Sequence, residues 1–330
     1  MNIVQGNRAR SYINNKENIP SFVNLKKQKL DTQRPAGKEI QNTQKLTLKQ
    51  QTQSRIETLG SEIVLHSSQN PKFLFGSEQA ILGYLKSREH AYSVNPEYIA
   101  SQNDINSRMR SILIDWLVDV AVKFNLLPQS LFLATNVIDR YLSKNQVQRN
   151  ILQLVGVTAL MIVCKFEEIY PPLCQKYVAV CDNAYTKDEI IDMEAKILQS
   201  LDFDLTQASA LTLLQHLQLR LKFDAKAFAF ARYILENSLL DTLSLKYSNL
   251  TLAAGSIYLV NKIFTSVVLT AAFEEATLVS EDLAKSCAKD LYQIMQKIDS
   301  SNLTALKRKF ATPELFETSK YRIERVKTRV

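Results

Sequence analysis

Residues Met109 to Phe124 read MRSILIDWLVDVAVKF, and the spacing in this stretch decides the fold class. At 100° per residue, Met109, Ile112, Leu113, Trp116 and Val120 fall on one stripe of a helix. Ile114, Leu117, Val118 and Ala121 fall on an adjoining stripe, so the apolar arc exceeds half the circumference. A helix lying on a surface needs a narrower arc. Either this helix is central and buried all round, or one stripe stays open as a binding patch; periodicity alone favours burial. Arg110 points into the middle of the arc. A buried guanidinium requires a carboxylate, because an unpaired buried charge costs several kcal/mol. Asp139, inside the apolar run NVIDRYL, is the expected partner; the alternative is an Arg110 that snorkels to solvent.

Outward from this stretch the same period continues. Apolar residues recur at three- and four-residue spacing from about residue 76 to about residue 300. Pro128, Pro171-Pro172 and Pro313 fall between apolar runs, where they can start or stop helices. Only seven glycines occur in 330 residues, few for a turn-rich chain, and no alternating strand pattern appears at length. The expected class is all-α. Phe132 to Leu142 (FLATNVIDRYL) lies over Ala229 to Leu239 (AFARYILENSL) at a shift of 97 residues, with apolar positions mostly in step. The same shift lays Gly156-Val157-Thr158-Ala159 over Ala253-Ala254-Gly255-Ser256, and Lys165 over Lys262. Small residues on an apolar helix allow close crossings, so two copies of one helical unit follow.

The totals set limits. A chain that is 46% apolar and 22% charged can bury a sizeable core. Its net charge of +8 sits mostly in the first 70 residues, which hold eleven Lys/Arg and five Asp/Glu; residues 71–330 carry only +2. That first stretch is rich in Gln, Asn, Lys, Ser and Thr without apolar period, and reads as a solvated, disordered basic tail. Within it, Lys16-Glu17-Asn18 before Ile19-Pro20 resembles the KEN box, a degron read by the anaphase-promoting ubiquitin ligase; no R-x-x-L destruction box accompanies it. Cys164, Cys174, Cys181 and Cys287 have no C-x-x-C spacing and no histidine near them, which fits buried thiols in a reducing compartment rather than a zinc site. No signal peptide and no run of eighteen apolar residues is expected.

Several longer motifs now fall in register. Met109-Arg110-Ser111-Ile112-Leu113 resembles the MRAIL motif of cyclins, with Ser111 in place of its Ala, and Ile114-Asp115-Trp116-Leu117-Val118 continues the match. Leu152-Gln153-Leu154-Val155-Gly156, the run Lys165 to Pro172 (KFEEIYPP), Tyr185-Thr186-Lys187, Met193-Glu194 and Leu201 to Leu205 (LDFDL) follow in order. The chain therefore resembles the A/B-type (mitotic) cyclins. Phe166 and Ile169-Tyr170 lean to the A-type; Lys123 to Leu133 and Asp182 to Lys187 lean to the B-type, which is slightly favoured. The resemblance implies a twin cyclin fold of two tandem five-helix boxes behind a short N-terminal helix and the disordered tail. The implied limits are a tail to residue 70, the helix and first box over 71–205, a second box over 206–305 and an extension over 306–330.

The resemblance also implies two working surfaces. The first binds a cyclin-dependent Ser/Thr protein kinase through Lys165, Phe166, Glu194, Phe203 and Leu205, with Lys187 nearby and Ile81 and Tyr84 on the preceding helix. Phe166, Phe203 and Leu205 can anchor an apolar centre, while Lys165 and Glu194 can pair. The second surface is a substrate-docking patch of Met109, Ile112, Leu113 and Trp116, with Asp119 and Gln153 at its rim, receiving peptides that carry R-x-L. Here the resemblance turns the reading of the stripe from burial to exposure. Its implied role is kinase activation in G2/M, its further partners are R-x-L substrates and inhibitors and the ubiquitin ligase, and its location is nucleus and cytoplasm. No cofactor or metal is implied. Glu167-Glu168 cannot converge from adjacent helical positions, and no phosphate-loop, H-E-x-x-H or D-F-G motif occurs, so catalysis is not expected. Nucleic-acid binding, which some transcription factors achieve with the same twin fold, is disfavoured by the near-neutral region beyond residue 70; membrane binding is not expected either. A purely structural scaffold is the remaining alternative.

Overall fold

The computed structural model describes residues 71–264 and 272–321. The triplet Lys16-Glu17-Asn18 lies outside the described residues. The first element, α1, runs Pro71–Arg88, longer than the short helix expected, and a boundary between two compact units falls within it, between Tyr84 and Leu85.

The body beyond Leu85 is two successive five-helix bundles. The first comprises α2 (Ser107–Phe124), α3 (Pro128–Lys144), α4 (Leu152–Glu167), α5 (Cys174–Val180) and α6 (Lys187–Ser200). The second comprises α7 (Ala210–Leu221), α8 (Ala225–Ser238), α9 (Asn249–Phe264), α10 (Ala272–Thr277) and α11 (Glu281–Asp299). A five-residue helix, α12 (Ala305–Lys309), follows, and no strand occurs among the described residues. The all-α, twin-bundle expectation is met.

Local chemistry sets the helix ends. Asn106 accepts the Met109 N–H at 3.0 Å to start α2, and Asn125, in left-handed backbone, ends it. Pro128 occupies the first turn of α3, and the Glu168 carboxylate accepts from the Leu127 N–H at 2.6 Å and the Ser130 hydroxyl at 3.0 Å. Thr186 and Glu189 form a reciprocal capping box at the start of α6.

Each bundle is organised around its third helix. In α4 every residue from Leu154 to Cys164 is buried, and in α9 every residue from Leu250 to Val260. Residues Arg149–Glu167, with mean hydropathy 1.5, are long and apolar enough to cross a membrane, against expectation; two thirds of that window is buried inside the protein, as befits a core helix. The small residues permit the close crossings. A Cβ on Gly156 would meet the Leu113 methyls of α2 at 2.6 and 2.9 Å, and one on Gly255 would meet the Cys287 sulfur of α11 at 2.6 Å. The repeat thus keeps the small-residue central helix but changes its close neighbour, from the first helix of one bundle to the last of the other. No disulfide links the four cysteines; burial pushes the Cys181 thiol up to about 12.

Candidate functional site

Arg110 is the point from which the site is built. Its Nε and Nη2 donate to the two oxygens of Asp139, each at 2.6 Å, and both side chains are buried. The Tyr98 hydroxyl donates to the same carboxylate at 2.6 Å, and Arg110 Nη1 donates to the Leu239 carbonyl at 2.9 Å, beyond the end of α8. Burial alone would push the guanidinium down; the Asp139 carboxylate more than offsets this and holds it up. Burial and the same carboxylate push the Tyr98 phenol up. Ser111, the departure from MRAIL, has its own use: its hydroxyl lies 2.6 Å from the Leu240 carbonyl and 2.9 Å from that of Ser107. Adjacent residues of α2 thus reach adjacent carbonyls after α8, which ties the first bundle to the second.

The stripe of α2 expected to be open is mostly closed. Leu113 and Trp116 are only 3% and 5% exposed, Met109, Ile112 and Gln153 are half-buried, and Asp119 is exposed. This corrects the patch reading for Leu113 and Trp116: Leu113 fills the crossing opposite Gly156, and the burial that periodicity favoured holds for both. Asp119 accepts from Arg308 Nη2 of α12, at 2.5 and 2.6 Å to its two oxygens.

A second set gathers around the C-terminal end of α4. Lys165 Nζ donates to both carboxylate oxygens of Glu194 on α6, at 2.6 and 2.7 Å. Phe166, the next residue, is 52% exposed, and Phe203, just past α6, is 67% exposed. Asp202 and Phe203 both have positive φ, 53° and 57°; consecutive left-handed residues without glycine end α6 abruptly. Lys187 is exposed at the first turn of α6, and Ile81 and Tyr84 are exposed on α1. Leu205 departs from expectation: it is 6% exposed and belongs to the core. After Phe203 the chain is drawn back onto α3, because the Asp204 carbonyl accepts from Arg140 at 2.9 Å and its carboxylate accepts from the Tyr92 hydroxyl at 2.9 and 3.0 Å.

Sequence reasoning missed part of this surface. Ile169, Tyr170 and Leu173 are also exposed. The signal for Ile169 and Tyr170 was present in KFEEIYPP, and Leu173 follows it directly: apolar residues flank Pro171-Pro172, where a helix cannot continue. Exposed apolar side chains of this size make this stretch the candidate interaction surface. Two tandem five-helix bundles carrying such exposed side chains define the class to which the protein belongs, an all-helical two-bundle protein.

Comparison with known proteins narrows the class. Residues 80–206 match the family model "Cyclin, N-terminal domain" and residues 208–323 match "Cyclin, C-terminal domain". A G2/mitotic-specific cyclin-B of Dictyostelium discoideum is 31% identical over 85% of this chain and 65% of its own length. Cyclin-B2-2 of Oryza sativa subsp. indica is 36% identical over 70% of this chain and 56% of its own. The chain thus spans less than two thirds of the length of these relatives. The crystal structure of a viral cyclin from herpesvirus saimiri superposes with a TM-score of 0.61 at 20% identity, covering 68% of this chain and 99% of that one. This chain belongs to the cyclin family, and its relatives are mitotic cyclins of the B- and A-types.

Proposed function

We propose that this chain is the non-catalytic regulatory subunit of a cyclin-dependent Ser/Thr protein kinase, acting at G2/M. The observation that carries the reading is the exposure of Phe166, Ile169, Tyr170, Leu173 and Phe203, together with the Lys165–Glu194 pair next to Phe166 in the chain. Exposed aromatic anchors flanked by a paired charge give an interface an apolar centre and a polar rim. Lys187 extends the kinase contact and Leu205 supports it from the core; Ile81 and Tyr84 on α1 offer the kinase a separate contact.

Activation proceeds by population shift. A kinase alone holds its catalytic helix and activation loop in inactive arrangements, and a rigid partner that binds only the active arrangement draws the equilibrium to it. Moving such an equilibrium from 1:99 to 99:1 takes roughly 5.5 kcal/mol of differential affinity, within reach of a standard-sized interface. The half-buried part of the α2 stripe, Met109 and Ile112, with Gln153 and exposed Asp119 at its rim, docks R-x-L substrates and inhibitors. Lys16-Glu17-Asn18 delivers the chain to the anaphase-promoting ubiquitin ligase, and the protein works in nucleus and cytoplasm without contacting nucleic acid or membrane.

The test is phosphorylation of a histone-type substrate by a purified monomeric cyclin-dependent kinase, with and without the full chain. A rise of several orders of magnitude is expected, and at limiting concentrations of the chain Phe166→Ala should cut it by about thirtyfold or more. No rise with any such kinase, from a folded chain, would return the reading to a DNA-binding or scaffold role.

A further inference from the structure

The acidic rim of the α2 stripe is already occupied by the chain itself. Arg308 Nη2 donates to both oxygens of Asp119, while its Nη1 donates to the Thr304 hydroxyl and fixes the guanidinium from the other side. Four residues before Asp119, on the same face of α2, Asp115 accepts the Ala305 N–H at 3.0 Å. The N-terminal end of α12 and its one guanidinium therefore meet two carboxylates one turn apart. The base of α12 is held firmly: Phe310 is buried against Tyr233 of α8, ring centroids 5.0 Å apart, and Lys309 Nζ donates to buried Glu236 at 2.5 Å. By contrast both Arg308 and Asp119 remain partly exposed. The anchored part of the arm is in the core and the displaceable part is at the rim.

We infer that Arg308 is a tethered competitor for the arginine of an incoming R-x-L peptide, so that docking requires its displacement from Asp119. This rests on the half-buried Met109 and Ile112 of α2, with Gln153 and Asp119 at their rim, being the docking patch. The mimicry is confined to the guanidinium, since the apolar residue two positions on, Phe310, packs in the second bundle and not on α2. An exposed ion pair contributes little and exchanges readily, so the arm weakens docking without abolishing it. Because the competitor is covalently attached, its local concentration is high and independent of protein concentration.

The test is fluorescence anisotropy of a labelled peptide with one Arg-x-Leu in a polar context, titrated with the full chain. Arg308→Gln is expected to bind about two- to fivefold more tightly than wild type, and Arg308→Glu no more weakly than Arg308→Gln. The gain should vanish in the double variant Asp119→Asn/Arg308→Gln, and with a peptide whose Arg is replaced by Ala. Wild-type binding that is measurable but unchanged or weakened in Arg308→Gln would overturn the competitor and leave the docking patch standing. No binding to any variant, each folded by circular dichroism, would overturn the docking reading and the competitor with it.

Discussion

Arg110 owes its place to what burial forces on a charge. Removing one partner of a buried, hydrogen-bonded pair strands the other, so Arg110→Ala is expected to cost about 3–5 kcal/mol in urea unfolding. Adding Asp139→Leu should recover only part, because Tyr98 and the Leu239 carbonyl also lose their partner. Full recovery would mean that those two bonds contribute nothing. The pairing with Asp139 was legible in the sequence because a guanidinium inside an apolar arc must find a carboxylate. Tyr98 and Leu239 were not, because tertiary approach over 41 and 129 residues selects them. Asp115 makes the complementary case. Burial, aided by Asp119, pushes its carboxyl up to about 6, against the Ala305 N–H and Arg308, which pull it down. A carboxyl raised on folding disfavours the folded state once ionised, so stability falls as pH rises from about 4 to about 6 and is level above. Asp115→Asn should flatten that slope in thermal melts between pH 4 and 7; an unchanged slope would assign it to other groups.

Helices of this protein differ in how much they tolerate at their small residues. A Cβ on Gly83 of α1 meets nothing within 4 Å, so Gly83→Ala should stabilise that helix by about 0.5–1 kcal/mol. On α4, Gly156→Ala collides with the Leu113 methyls, the ends of a side chain whose own burial leaves it little room, and should cost about 1–3 kcal/mol. Gly255→Ala meets the Cys287 sulfur and Cβ at 2.6 and 2.9 Å and the Ala288 backbone nitrogen at 3.4 Å, a stiffer wall, and should cost more. Thermal melts of the last two, and hydrogen exchange of the α1 amides for the first, check the order; Gly255→Ala milder than Gly156→Ala would contradict it. The 97-residue repeat announced two copies with small-residue central helices. It aligned Gly156 with Ala253 and not with Gly255, because the period registers the helix, whereas the crossing partner is set by packing between helices distant in sequence.

Across the whole molecule, core and working surface are carved from the same motifs, which is why the site was only partly legible. In LDFDL the pattern alone cannot say that Phe203 faces out and Leu205 in; the two left-handed residues and the pull of Arg140 and Tyr92 on Asp204 decide it. In MRSILIDW, periodicity identified the buried Leu113 and Trp116, and the family resemblance overrode it. The hydrogen bonds from Arg110 and Ser111 to the segment after α8 tie the two bundles together, while Phe166 and Phe203 stay exposed. From this division of labour, two substitutions in the same expected interface should separate. Phe166→Ala removes an exposed ring and should change unfolding free energy by no more than about 0.5 kcal/mol. Yet it should weaken kinase binding by about 2 kcal/mol or more, some thirtyfold, as loss of a central anchor does. Leu205→Ala empties a core position and should cost about 2–5 kcal/mol of stability. Its effect on binding by the surviving folded fraction should be slight. Calorimetric titration with the kinase, paired with urea unfolding of each variant, reads both axes at once. If Leu205→Ala instead abolished binding at full stability, Leu205 would have to swing outward on complex formation, and the buried position seen here would be that of the unbound chain alone.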